Sequence, residues 1–111
     1  MTSVDASRYT YRVAWTAGDN EHVATVAEFP SLSWLDSSPS KALDGLTALV
    51  RDVVADLKAT GEPIPEPLSA RAYSGRFVVR VPPELHRRLA TEAAEQHVSL
   101  NRLVSDRLAR A

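Results

Sequence analysis

Residues 76–83 read Arg-Phe-Val-Val-Arg-Val-Pro-Pro, and sequence for about two helices follows them. Strict alternation predicts a β-strand with Phe77, Val79 and Val81 on one face. The opposite face then carries Arg76, Val78 and Arg80. A single strand with an apolar face and unpaired edges is unstable in water. We therefore expect a second copy of the chain to supply the missing strand.

Two such strands form a ribbon with a row of guanidinium groups on its outer face. A two-stranded ribbon fits the major groove of B-DNA. Arginine can bond guanine O6 and N7 together, and a valine methyl group suits the methyl group of thymine. We predict that Arg76, Val78 and Arg80 read DNA bases. The alternative is that both arginines lie on the solvated face of an ordinary dimerising hairpin.

The composition indicates a folded protein. The chain has 111 residues, enough for one ordinary domain or two small ones, and 44% of them are hydrophobic against 24% charged. Cysteine is absent, so disulfides and thiolate zinc sites are excluded, which is compatible with a reducing cytosol. No apolar run approaches the ~20 residues of a membrane span, and the polar start predicts no signal peptide. We expect a cytoplasmic location.

The charges divide the chain into an acidic part and a basic part. Residues 1–73 contain six Lys or Arg and ten Asp or Glu, a balance of −4. Residues 74–111 contain seven Arg and four Asp or Glu, a balance of +3, and no Lys. This asymmetry indicates two modules with different partners, although chance could produce it in so short a chain.

The first module, residues 1–61, reads as an antiparallel meander packed on one long helix, an α+β arrangement. Strands are predicted over residues 9–16, 22–29 and 33–35, with Val23, Thr25, Ala27 and Phe29 sharing one face of the second. Ser38 and Pro39 predict the start of the helix, and Lys58 and Gly61 its end. Its apolar stripe comprises Leu43, Leu46, Val50, Val53 and Leu57.

Residues 62–73 form a proline-rich linker, which we expect to be a stiff spacer between the modules. The second module, residues 74–111, continues from the ribbon strand into a helix over residues 83–96 and a third helix capped by Ser99. So short a unit has too little core to stand alone, and dimerisation is the usual remedy. The predicted dimer core comprises Phe77, Val79, Val81, Leu85, Leu89 and Leu103.

An enzymatic function is not indicated by the sequence. The histidines His22, His86 and His97 lie far apart, no nucleophile motif or glycine-rich phosphate loop occurs, and no metal-ligand spacing is found. Asp44, Asp52 and Asp56 follow helical spacing but lie off the leucine stripe, which is more typical of a solvated face. We predict neither a cofactor nor a metal site.

The second module resembles the ribbon-helix-helix DNA-binding domains of the Arc and MetJ type. The resemblance lies in the Arg76–Pro82 strand, the amphipathic helix and the Val98-Ser99-Leu100-Asn101 stretch that opens the last helix. It implies an intertwined dimer, base reading by the outward strand residues, and a phosphate bound at Ser99, Leu100 and Asn101. A helix N-terminus is suited to that role because its amide groups are free.

The first module, with its closing Ile64-Pro65-Glu66-Pro67, resembles the N-terminal domain of HicB-type antitoxins, and Phe29-Pro30-Ser31-Leu32 matches the corner after the second strand in that family. Ser33 and Lys41 depart from the family pattern, which has a glycine and an acidic residue there. The resemblance implies the antitoxin of a type II toxin–antitoxin system. Its partners would be a small basic RNA-cleaving toxin, HicA-like, and operator DNA with inverted half-sites.

The antitoxin would act as a homodimer or a tetramer and repress its own operon. The acidic balance of the first module suits a basic toxin. The plausible contacts are Glu21, Glu28, Asp36 and Asp44, although acidic residues also simply keep small domains soluble. Two alternatives remain: an orphan ribbon-helix-helix repressor without a toxin, and an antitoxin whose second module only dimerises.

Overall fold

A computed structural model describes residues 4–111 and divides the chain into two compact units. The first unit ends at Tyr73, and the second comprises Ser74–Ala111. The first contains a three-stranded sheet and one long helix, and the second contains two short helices. The mixed α+β class is therefore confirmed. Within residues 4–111, no helix has the length and apolarity needed to cross a membrane.

The sheet of the first unit is an antiparallel meander. Its strands are β1 (Tyr11–Thr16), β2 (Glu21–Val26) and β3 (Ser33–Asp36), in the order β1-β2-β3. The short third strand is thus confirmed. Val13 pairs with Ala24 on β2, and Ala24 pairs with Trp34 on β3. Paired residues point to the same side, so this register assigns each residue to a face.

The prediction that Val23, Thr25, Ala27 and Phe29 share one face of β2 is wrong, because Ala27 and Phe29 lie beyond the end of the strand. Ala24 and Val26 are the buried residues of this strand, whereas Thr25 is exposed. Val23 instead lies on the outer face between Ala14 and Leu35. The prediction carried the alternation through to Phe29, but the strand ends at Val26 and a turn follows. That turn brings Phe29 back into the core, where its ring meets Tyr9 edge-on at 5.1 Å between centroids.

Helix α1 (Pro39–Thr60) covers one face of the sheet. Ser38 caps it by accepting a hydrogen bond from the Lys41 amide at 3.4 Å, and Gly61 ends it with a left-handed φ of 74°. Both predicted ends of the helix are confirmed. The fully buried residues of its stripe are Ala42, Leu46 and Val50.

Residues 62–70, here called the strap, fold back onto the first unit. The Tyr9 hydroxyl donates to the Pro65 carbonyl at 2.7 Å, the Ser69 hydroxyl donates to the Arg8 carbonyl at 2.8 Å, and Pro67 is buried. The expected spacer over residues 62–73 is corrected accordingly, because this segment belongs to the first unit. Three prolines favour an extended chain, but they also offer apolar rings and free carbonyls that a neighbouring surface can bind.

The Glu28 carboxylate links the strap to the rest of the first unit by hydrogen bonds. It accepts hydrogen bonds from the Leu68 amide at 2.9 Å and from the Thr10 amide at 2.9 Å. It also accepts one from the Thr10 hydroxyl at 3.1 Å. Burial raises the pKa of Glu28, but these hydrogen bonds outweigh it and the net pKa is lowered.

Candidate nucleic-acid interface

The second unit is built on a helix hairpin. Helix α2 (Pro83–Glu95) and helix α3 (Leu100–Ala109) are joined by a tight turn at His97, whose φ is 57°. The amides of His97 and Val98 donate to the Ala94 and Ala93 carbonyls at 3.2 and 3.0 Å, which closes the end of α2. The predicted helices and the turn between them are confirmed.

Few side chains are buried between the two helices. Ala93 and Leu103 are buried, whereas Leu85 and Leu89 of the predicted dimer core are only half-buried. An ion pair from Arg107 to Glu92 links α3 to α2. So small an apolar contact stabilises a hairpin weakly, because hydrophobic stabilisation scales with the area removed from water.

The ribbon segment, residues 76–81, forms no ladder in the single chain and therefore is not a strand there. A strand requires a hydrogen-bonded neighbour, and the predicted neighbour is a second chain. The apolar side chains of this segment are consequently uncovered. Phe77 is 74% exposed and Val79 is 63% exposed, and Val81 is exposed as well.

An open groove of about 930 Å³ lies between the ribbon segment and α3. Phe77 and Val79 form one wall, and Leu100, Val104 and Leu108 contribute to the other. Leu108 is 56% exposed. Most of the exposed apolar side chains of the second unit thus lie together at this groove.

The three predicted base-reading residues are all exposed. Val78 is 92% exposed, the highest value among the large hydrophobic residues of the described chain. Arg76 and Arg80 form no salt bridge with any residue in the range 4–111, so their guanidinium groups are available to a partner. Arg76 also contributes to the groove, whereas Val78 and Arg80 do not.

The start of α3 has the features expected of a phosphate site. The Ser99 hydroxyl accepts a hydrogen bond from the Arg102 amide at 3.0 Å and caps the helix. The amides of Leu100 and Asn101 occupy the first turn, where the helix offers them no carbonyl. Asn101 is exposed. An anion approaching this end would meet two free amide donors and the positive end of the helix dipole.

The acidic residues singled out in the first unit differ in availability. The Glu28 carboxylate is occupied by Thr10 and Leu68, which makes it a structural residue of the strap. One oxygen of Asp36 accepts a hydrogen bond from the Ser38 amide at 3.0 Å. Asp44 is exposed on α1, and Glu21 is half-buried at the start of β2. Within residues 4–111, no three His, Asp or Glu side chains come together as a metal site would need.

The groove was not predicted from the sequence, and the turn at His97 was predicted without its left-handed backbone. The groove depends on the distance between two segments, which no local pattern reports. His97 occupies a position that usually takes glycine or asparagine, so the sequence carries no turn residue of the usual kind there.

The family model described as the HicB family matches residues 60–108. The match covers less than half of the chain and includes α2 and all but the last residue of α3. It supports a resemblance of HicB type through the second unit and the end of the first, whereas the sequence pattern that resembles this family lies at residues 9–67. Comparisons with curated proteins and with solved structures gave no match.

Proposed function

We propose that this protein is the antitoxin of a type II toxin–antitoxin system, that it neutralises a small basic toxin, and that it represses its own operon in the cytoplasm as a DNA-binding dimer. The HicB family match over residues 60–108 suggests a function related to toxin–antitoxin systems. The observation that carries the DNA-binding part is the uncovered ribbon segment with its outward arginines.

Dimerisation through the ribbon segment would give it a paired strand and would also cover its exposed apolar side chains. A second copy would pair with residues 76–81, and it would cover Phe77 and Val79 at the groove. The same pairing would set Arg76, Val78 and Arg80 in a row on the outer face, beside the free amides at the start of α3. A two-fold protein reads a two-fold operator, so we expect inverted half-sites.

Gel-shift titration of the chain's own promoter tests the DNA-binding proposal. Arg76→Ala and Arg80→Ala should each weaken binding by about 5- to 150-fold, because a bidentate base contact contributes ~1–3 kcal/mol. Arg12→Ala is the matched control, since it removes an exposed arginine from the first unit and should leave binding unchanged. If both ribbon variants bind like the wild type while remaining dimeric, the base-reading assignment is wrong.

Salt dependence provides a second test of the same interface. Several phosphate contacts release several counterions, so the affinity for the operator should fall steeply between 50 and 200 mM salt. Asn101→Pro would remove one amide donor at the start of α3 and should lower the affinity for operator and unrelated DNA alike. A loss confined to the operator would contradict the phosphate role.

The toxin part of the proposal rests on the acidic balance of the first 73 residues, −4, which suits a basic partner. Co-expression of the chain with the product of the adjacent gene tests it. A short basic protein that co-purifies, and whose RNA cleavage stops on binding, supports the antitoxin. An adjacent gene of another kind supports the alternative of an orphan repressor.

A further inference from the structure

Trp34 packs against α1 at Gly45, where the side chain of any other residue would collide with the indole. A Cβ atom built at Gly45 would lie 2.2 Å from the indole Nε1 and 2.4 Å from Cε2 of Trp34. Glycine in the middle of a helix costs about 1 kcal/mol relative to alanine. The indole is nevertheless 41% exposed and does not belong to the hydrophobic core. The helix thus accommodates a tryptophan that contributes little to the core.

The flank of α1 beside Trp34 is more acidic than the opposite flank. At about 100° per residue, Asp52 and Asp56 follow Gly45 on the same side of the helix, with Lys41 one turn before it. We call Trp34, Gly45, Asp52 and Asp56 the β3 flank.

The opposite flank of α1 faces β1 and is basic. Helical periodicity places Thr47 and Arg51 on the side of α1 away from Gly45. Helical periodicity adds Lys58 to the same side. From Gly45 to the end of the helix the charges of the two flanks therefore differ in sign, whereas Lys41 and Asp44 in its first turns have the opposite charges.

Strand β3 adds an unpaired backbone edge to the β3 flank. Among residues 4–111 it pairs with β2 alone, because the sheet order is β1-β2-β3. An exposed tryptophan next to a free strand edge is typical of protein interfaces, where tryptophan is enriched among the residues that contribute most to binding. One arginine or lysine of a partner would be attracted to the indole face, and others to Asp52 and Asp56 two and three turns further along the helix.

Building on the proposed antitoxin function, we propose that the β3 flank is the surface on which the first unit binds its basic protein partner, with Trp34 as the central anchor and Asp52 and Asp56 as charge contacts. The occupant is a basic protein because the flank joins carboxylates to an exposed indole. The basic flank on the β1 side is not part of this surface.

Affinity measurements on full-length variants with the co-purifying product of the adjacent gene test the proposal. Trp34→Ala should weaken binding at least 30-fold, the effect of removing an interface anchor. Trp15→Ala is the matched control, because Trp15 is 55% exposed on the opposite edge strand, and its effect should stay below about 3-fold. Thermal unfolding establishes that each variant is folded.

Charge reversal provides a test that does not disturb the indole. Asp52→Lys combined with Asp56→Lys should weaken binding at least 10-fold, and added salt should reduce the difference from the wild type. The control is Glu66→Lys, which reverses an exposed charge on the strap. It should change the affinity less than about 3-fold.

The possible outcomes separate the two proposals. If the wild type binds no basic partner, the antitoxin function is overturned, and the assignment of the β3 flank falls with it. If the wild type binds and the Trp34 and aspartate variants bind equally well, only the surface assignment is overturned. If these variants change self-association in sedimentation experiments and leave partner binding intact, the flank binds a second copy of the chain and the assignment is again wrong.

Discussion

The presence of glycine at position 45, in the middle of a long helix, is explained by the Trp34 side chain that packs against it. In an isolated helix, alanine at this position would be more stable by about 1 kcal/mol. The contact with Trp34 reverses that preference, because the indole occupies the space of a Cβ atom. From the sequence alone, Gly45 is a weak point of a long helix, because the residue that explains it, Trp34, lies eleven residues earlier on β3.

We predict that Gly45→Ala destabilises the first unit by about 1–3 kcal/mol, the usual cost of overpacking, despite the gain in helix propensity. Chemical denaturation followed by tryptophan fluorescence measures it, since both tryptophans lie in the first unit. Gly18→Ala is the control, because no atom lies within 4 Å of a Cβ built there. Equal stability of the two variants would mean that Trp34 moves aside freely.

Glu28 should make the stability of the first unit depend on pH. Its pKa in the folded chain is lowered from the ordinary value of 4.5, so folding favours the ionised carboxylate. The contribution of Glu28 is therefore complete above pH 4.5 and disappears as the pH falls through the lower pKa of the folded state.

Glu28→Gln should lower the free energy of unfolding by about 1 kcal/mol at pH 7, since solvent screens hydrogen bonds of a half-exposed carboxylate. The difference from the wild type should shrink as the pH is lowered below 4.5. Glu66→Gln, at an exposed position of the strap, is the control and should show neither effect. A difference that is constant with pH would show that the charge of Glu28 is not involved.

Local signals in the sequence predicted α1, α2, α3 and the strands, whereas contacts between distant segments were not predicted. Ser38, Pro39 and Gly61 determine the ends of α1 through cap bonds within four residues along the chain, so the sequence suffices. The inner face of β2 depends on which side of the sheet α1 covers, and the strap depends on Glu28, forty residues before Leu68. Neither is visible in a local pattern.

Ser99 is the cap whose loss should affect both the fold and the candidate site. Ser99→Ala removes the acceptor of the Arg102 amide and should destabilise α3 by about 0.5–2 kcal/mol. Thermal unfolding followed by far-ultraviolet circular dichroism measures this effect. Ser105→Ala removes an exposed hydroxyl from the interior of the same helix and should be neutral or slightly stabilising. Equal losses in both variants would contradict a specific capping role.

For the chain as a whole, the alternation of residues 76–81 predicted which apolar side chains require burial against a second chain, and these side chains are exposed in the single chain. The base-reading and phosphate-binding assignments still depend on a second chain and on DNA, so they stay predictions. The sequence could identify these residues because alternation and a capping serine are local, whereas the groove beside them is formed by segments more than twenty residues apart.

Phe77→Ala tests whether the whole molecule is a dimer. In a dimer with Phe77 in its core, the substitution should cost about 3–5 kcal/mol, and the midpoint of unfolding of the second unit should rise with protein concentration. Circular dichroism reports the helices of both units, whereas tryptophan fluorescence reports the first unit alone. Unfolding of the second unit is therefore seen by circular dichroism and not by fluorescence. Phe77→Ala should lower the midpoint of that transition.

Val78→Ala is the matched control for Phe77→Ala, because Val78 is the neighbouring residue and its side chain is 92% exposed. It should change stability by less than about 0.5 kcal/mol, whether the chain is a monomer or a dimer. In a monomer, Phe77 keeps its 74% exposure, and its truncation should cost no more than that of Val78. A loss below about 1 kcal/mol for Phe77→Ala, together with a midpoint independent of concentration, would therefore place Phe77 outside any core and remove the basis for a DNA-binding ribbon.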